Sequence, residues 1–219
     1  MAKFLFAFVV AGVLLVLASS SHVLAADADP IDDFCVADLS SKLIINGLVC
    51  VDPATVTGTD FKFTGFEKAG NTSNALGSAV SPGFAGVNYP ALNTQGLGFA
   101  RLDYAKGGLI APHTHPRATE VLYVVQGTLY VGFVDTNNKF YPTILNKGDL
   151  YVFPRGLVHF QLNIANGPAF AIASFNSQNP GLQLVANALF GAQPPIEDGV
   201  LVKAFGIPIT EVETIKKGF

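Results

Sequence analysis

From position 97 onward the chain runs in short alternating stretches of apolar and polar residues, broken at close intervals by Gly and Asn. Leu97 to Tyr104 alternates loosely and predicts a strand. Val121 to Val125 and Thr128 to Val134 predict two more around a tight bend at Gly127. Phe140 to Leu145, Leu150 to Pro154, Val158 to Leu162 and Ala169 to Asn176 continue the series. Lys106-Gly107-Gly108, Asp135 to Asn138, Asn146 to Asp149 and Arg155-Gly156 read as the turns between strands. Short strands at such spacing predict an all-β barrel or sandwich. Thr55 to Tyr89 is rich in Gly, Asn, Ser and Thr, and reads as short strands and irregular coil. Leu182 to Phe190 and Glu211 to Lys217 have helical spacing, so short C-terminal helices are expected. There is no internal repeat.

The first residues follow another pattern. Lys3 precedes an unbroken apolar run from Phe4 to Ala18, then a polar step, then Val23-Leu24-Ala25. A charged start, a short apolar run and a small residue before the cut predict a signal peptide over 1–25. A membrane anchor is the alternative, but the run is shorter than the ~20 residues a bilayer span needs. The expected organisation is then an arm over 26–59, a β domain over 60–211 and a tail over 212–219. No later segment is long and apolar enough to span a membrane. The mature protein is therefore expected to be secreted.

Two cysteines, Cys35 and Cys50, suit that compartment, where an even pair usually forms a disulfide. Asn71-Thr72-Ser73 is an acceptor for N-glycosylation. Charged residues make up only 13% of the chain, which suggests surface buried against other subunits. The net charge of −3, without a basic run, does not favour nucleic acid or an anionic membrane.

The candidate chemistry lies in two motifs. Of four histidines, His22 falls in the leader, and the other three are His113, His115 and His159. His113 and His115 stand at i and i+2, which puts both side chains on one face of an extended strand. Glu120 follows shortly after. Three imidazoles and one carboxylate make a metal site with nitrogen and oxygen ligands. On an octahedral ion four ligands leave two positions open. That suits a redox metal admitting a small oxygen species, although the same donors would hold iron or zinc.

Gly107, His113, His115, Glu120 and Gly127, followed by Gly148, Pro154, Gly156, His159 and Asn163, match the two-part cupin signature at every position. The string from His113 to Glu120 resembles the box of plant germins and germin-like proteins. So does the arm Asp33-Phe34-Cys35-Val36-Ala37-Asp38-Leu39 with its partner Cys50. The resemblance implies a cupin jelly-roll β-barrel, secretion to the plant cell wall, and a homohexamer built as a trimer of dimers. It also implies one Mn(II) per subunit, held by His113, His115, Glu120 and His159.

Activity is less determined. Within the family some members are oxalate oxidases, some show superoxide dismutase activity, and others are linked to nucleotide-sugar phosphodiesterase activity. In the oxalate oxidases two asparagines lie near the metal, at the positions held here by Ala100 and Ile110. The resemblance therefore implies that the ligands are kept while the oxalate-binding amides are missing. Two main readings follow: a manganese enzyme acting on superoxide in a defence or cell-wall role, and a metal-stabilised binding or receptor protein without important turnover. Lys147-Gly148-Asp149 reads as a turn rather than an adhesion motif.

Overall fold

The alternating runs form strands because each can bury one face and leave the other to solvent. The computed structural model describes residues 32–219 apart from 44 and 46; the leader expected over 1–25 lies outside the described residues. Ten strands form two five-stranded sheets. They are β1 (Ser78–Gly83), β2 (Gly98–Tyr104), β3 (Leu109–Thr114), β4 (Glu120–Gln126), β5 (Thr128–Val134), β6 (Phe140–Asn146), β7 (Leu150–Phe153), β8 (Val158–Asn163), β9 (Ala169–Phe175) and β10 (Gln183–Leu184). One sheet has the order β1-β2-β9-β4-β7 and the other β10-β3-β8-β5-β6, with every pairing antiparallel.

A single buried cluster draws on both sheets, from Leu102 and Tyr104 on β2 to Leu129 and Val131 on β5. The inward row of β9 is Ala169, Ala171, Ala173 and Phe175. Tyr104 faces Ala169 across the β2–β9 register, so a large side chain is set against a small one. The bend between β4 and β5 needs its glycine. Gly127 has φ +91°, and a Cβ there would come within 2.3 Å of the Ala169 Cβ.

The polar stretch from Thr55 to Tyr89 holds one strand, β1, and is otherwise short 3₁₀ turns and coil. Arg101 fastens part of it. Its guanidinium pairs with Asp103 at 2.8 Å and donates to the Phe66 carbonyl at 2.9 Å. Asp103 in turn accepts from the Gly70 amide at 2.8 Å. Cys35 and Cys50 are joined, with their Cα atoms 5.0 Å apart. Asn93, fully buried, ties this arm to the domain by donating to the Leu48 carbonyl at 3.1 Å. Asn71 is exposed, its Oδ1 accepting from the Ser73 amide.

The C-terminal part has three helices rather than the two expected: α1 (Val185–Phe190), α2 (Asp198–Phe205) and α3 (Ile209–Lys216). The sequence gives α2 little local support, since it is short and contains Gly199. Tertiary contacts hold it. Leu201 is buried, and Lys216 of α3 reaches back to the Ile196 carbonyl and to Asp198. The run from Leu182 begins as strand β10 before turning helical. Helix α3 crosses the junction expected at 211 and 212 as one piece. Among the described residues no helix is long and apolar enough to cross a membrane.

Candidate metal centre

β3 carries His113 in its last turn of alternation, and His115 follows just past the strand end. Glu120 opens β4 on the other sheet. His159 lies on β8, directly opposite His113 in the register. A shift in register between Ile110 and His113 locally breaks the β3–β8 ladder before this pair. All four side chains point inward and are buried, at 2% exposure for His113, 7% for His115, and 1% each for Glu120 and His159. One donor atom from each lies within 4.8 Å of all the others.

The hydrogen bonds around the imidazoles determine what the cluster can do. His113 Nδ1 meets the Ala111 carbonyl at 2.8 Å, and His159 Nδ1 meets the Leu157 carbonyl at 2.8 Å. His115 Nδ1 meets the Gly181 carbonyl. A carbonyl can only accept, so each Nδ1 carries a proton, and a ring without a second proton turns an Nε2 lone pair inward. Two of these, on His115 and His159, face Glu120 Oε2 at 3.1 and 3.2 Å. Lone pairs set against a carboxylate oxygen at that range repel unless a positive charge stands among them. A divalent cation supplies that charge and fits the donor set.

Two members of the cluster are shifted, His113 toward its neutral form and Glu120 toward its ionised form. Burial, assisted by His159 and partly opposed by Glu120, lowers His113 to about 4. Burial pushes Glu120 upward, but His115 and His159, donating from Nε2 when they carry a second proton, outweigh this and bring it down to about 2.

Several contributors are not evident from the motif alone. Gln161 donates from Nε2 to Glu120 Oε1 at 3.3 Å, while its own Oε1 is buried without a hydrogen-bond partner. Its signal was the i+2 spacing from His159, which puts both on the inner face of β8. Arg117, inside the box, donates from Nε to the Asn179 carbonyl at 2.7 Å and from a terminal nitrogen to Asn179 Oδ1 at 2.9 Å. These bonds hold the segment 179–182, which supplies the Gly181 carbonyl to His115. Phe153 stacks on His159 with centroids 4.4 Å apart, and Phe175 meets His115 edge-on at 4.7 Å.

A cavity of about 300 Å³ opens beside the cluster. His113, His115, Glu120 and Gln161 are among the residues that line it. Ala100 and Ile110 are both in its wall. The two positions singled out from the sequence therefore do border the space next to the ligands.

The cupin family matches residues 64–213. Germin-like protein 5-1 of Oryza sativa subsp. japonica is 51% identical over 207 residues, covering 94% of this chain and 92% of that one. A solved structure of oxalate oxidase superposes with a TM-score of 0.86 at 42% identity, covering 89% of this chain and 98% of that one. Peruvianin-I, a cysteine peptidase from Thevetia peruviana latex, superposes with a TM-score of 0.71 at 43% identity, covering 73% and 98%. With the match spanning the barrel and all four converging side chains, the chain belongs to the cupin family, in its germin-like branch.

Proposed function

We propose that the mature protein is a secreted, manganese-binding protein of the plant cell wall that acts on superoxide. The observation that supports this reading is the set of three Nδ1-protonated imidazoles and one ionised carboxylate converging beside a cavity that His113, His115 and Glu120 line. The choice of manganese rests on the germin resemblance, because the donors alone would also accept zinc or iron. Manganese, when bound, supplies one-electron exchange with a small oxygen species.

The chain's own groups do the rest. His113, His115 and His159 would hold the ion through Nε2, and Glu120 through its carboxylate. The carbonyls of Ala111, Leu157 and Gly181 fix the tautomers and the ring planes. Phe153 and Phe175 wall two of the rings from solvent. Dismutation of two superoxide ions consumes two protons and yields dioxygen and hydrogen peroxide. Glu120, held ionised, is a poor source of those protons, which solvent would supply.

The test is elemental analysis and a superoxide assay on one sample, before and after chelation. Activity that disappears on chelation and returns with manganese, but not zinc, supports the reading. Metal-free secreted protein with undiminished activity overturns it.

A second reading, a metal-stabilised binding protein without turnover, is favoured by the apolar wall of the same cavity. Oxalate oxidation is disfavoured because Ala100 and Ile110 offer no side-chain donor there. Thiol peptidase chemistry is disfavoured because the chain's two cysteines are bonded to each other. The reading also includes an N-glycan on exposed Asn71 and a homohexamer. Exposed Leu150, Val152 and Ile144 on the sheets supply apolar surface for subunit contact.

A further inference from the structure

The two sulfurs of the arm stand in unlike surroundings. Cys35 is buried, whereas Cys50 is exposed. Asn93, itself buried, donates from Nδ2 to Cys35 Sγ at 3.0 Å and to the Leu48 carbonyl at 3.1 Å. Its Oδ1 is buried without a hydrogen-bond partner, so the carboxamide is held through Nδ2 alone. Both of those anchors belong to the loop that the disulfide closes. The next residue, Thr94, has φ +66°, in the left-handed region that a β-branched residue avoids. Its amide donates to Gln178 Oε1. Beyond Gln178, the Asn179 amide donates to Ser177 Oγ at 3.1 Å, and the Gly181 carbonyl meets His115 Nδ1. Hydrogen bonds and short spans of chain thus connect the sulfur of Cys35 to the ring of His115.

We propose that Cys50 is an exchange site for small monothiols, and that opening the disulfide there weakens the metal centre through Asn93, Thr94 and Gln178. The exchange stands apart from the metal reading above, while its effect on the ion rests on that reading. Access selects the sulfur: an incoming thiolate reaches exposed Cys50 and not buried Cys35. A bond forms between the thiolate and Cys50 Sγ as the bond between Cys50 and Cys35 breaks. Cys35 leaves with the electron pair as a thiolate, which the Asn93 N–H favours by donating to it. It then takes up the proton that the incoming thiol gave to water, so the products are a mixed disulfide on Cys50 and a thiol at Cys35. Opening frees the loop over 36–49, and the Leu48 carbonyl leaves with it. Both Nδ2 hydrogens of Asn93 would then be buried and unpaired, a cost that displaces the side chain. Thr94 is released from its unfavourable backbone angle, and Gln178 loses the amide that fixes it. Arg117 still braces Asn179, so the hold on His115 is weakened rather than lost. The element with two arrangements is the loop, closed or open, and both sites bias it. Such coupling is reciprocal, so a bound ion protects the disulfide by the same factor.

The experiment incubates the full mature protein, manganese-loaded or chelated, with graded ratios of reduced to oxidised glutathione, then quenches with an alkylating reagent. Peptide mapping reads the adduct, and manganese titration reads the affinity of each form. The expected result is glutathione on Cys50 with Cys35 alkylated, and manganese affinity lower by about fivefold or more in the adduct than in the disulfide form. Saturating manganese should shift the exchange equilibrium against the adduct by that same factor. Hydrogen exchange in the adduct should quicken over 93–94 and 177–181 while the amides of β4 and β9 stay protected. Gln178→Ala should keep the adduct on Cys50 and bring the affinities of the two forms within twofold. A disulfide that stays intact, or an adduct on Cys35, overturns the exchange site. An adduct that holds manganese as tightly as the disulfide form overturns the coupling. Loss of protection throughout β4 and β9 overturns the local route. Disulfide-bonded protein that takes up no manganese overturns the metal reading and the coupling with it, and peptide mapping still decides the exchange site.

Discussion

His159 stands opposite His113 across the β3–β8 pair, their ring centroids 4.2 Å apart. The two motifs, distant in sequence, are thereby presented as one face. Removing either ring takes away a donor that no nearby residue replaces, because the cluster contains all three histidines of the described chain. His159→Ala should lower metal affinity by more than the ~10–100-fold that follows loss of an outer hydrogen-bond partner. Elemental analysis after dialysis against a weak chelator checks this, and a full metal complement in the variant contradicts it.

Arg117 acts at one remove. It holds Asn179, and the adjoining Gly181 carbonyl orients His115. Arg117→Ala should loosen the segment 179–182 and reduce metal affinity by about tenfold, in the range for outer partners of a ligating histidine. Hydrogen exchange should quicken in that segment while the amides of β4 and β9 stay protected. Unchanged exchange with unchanged affinity would remove Arg117 from the site's support.

Acid should destabilise the metal-free protein in a defined window. His113 is lowered in the fold to about 4, against ~6.5 when unfolded. Between those values the unfolded chain binds the proton and the folded chain does not, so stability falls as pH falls from 6.5 toward 4. The full shift corresponds to roughly 3 kcal/mol. Glu120, lowered to about 2, continues the loss from about 4.5 downward. Thermal melts of chelated protein from pH 7 to pH 4 check the slope. Replacing His113 with Gln should flatten the upper part of the window.

The disulfide should matter to the arm more than to the barrel. Cys35 and Cys50 are 15 residues apart, and a loop of that size contributes about 3 kcal/mol by chain entropy. Reduction should lower the melting temperature and expose residues near Leu48 to proteolysis. Native secreted protein with two alkylatable thiols would contradict the pairing.

Oxalate should be a poor substrate. Each missing hydrogen bond to a charged group is worth ~1.5–3 kcal/mol. Loss of both amides then corresponds to on the order of a hundred-fold to ten-thousand-fold in rate. Hydrogen peroxide release by manganese-loaded protein, measured beside a true oxalate oxidase, tests this. A rate within tenfold contradicts it, and Ala100→Asn with Ile110→Asn should recover part of the difference.

Strand alternation and ligand spacing were legible because both are local. His113 and His115 share a face by the pleat, and Glu120, Leu122 and Val124 alternate inward along β4. The elements that escaped are those whose cause is distant. Helix α2 depends on Lys216 reaching back from α3, and no local pattern around Asp198 announces it. The tie between Arg117 and Asn179 joins residues 62 apart, so spacing alone could not reveal that a box residue braces the site. The apolar character of the cavity was also hidden, since Val80, Ile110 and Leu182 come from three separate stretches of chain.

Two of the three imidazoles take their orientation from a carbonyl two residues earlier on their own stretch of chain, and the third from a carbonyl 66 residues later. During synthesis this separates possession of the ligands from readiness to use them. A nascent chain that has emerged through His159 already holds every donor, with the means to set two tautomers. His115 must wait for Gly181. Firm capture of the ion is thus deferred until the barrel strands have left the ribosome, and a chain truncated before that point would carry the whole ligand motif while holding metal loosely.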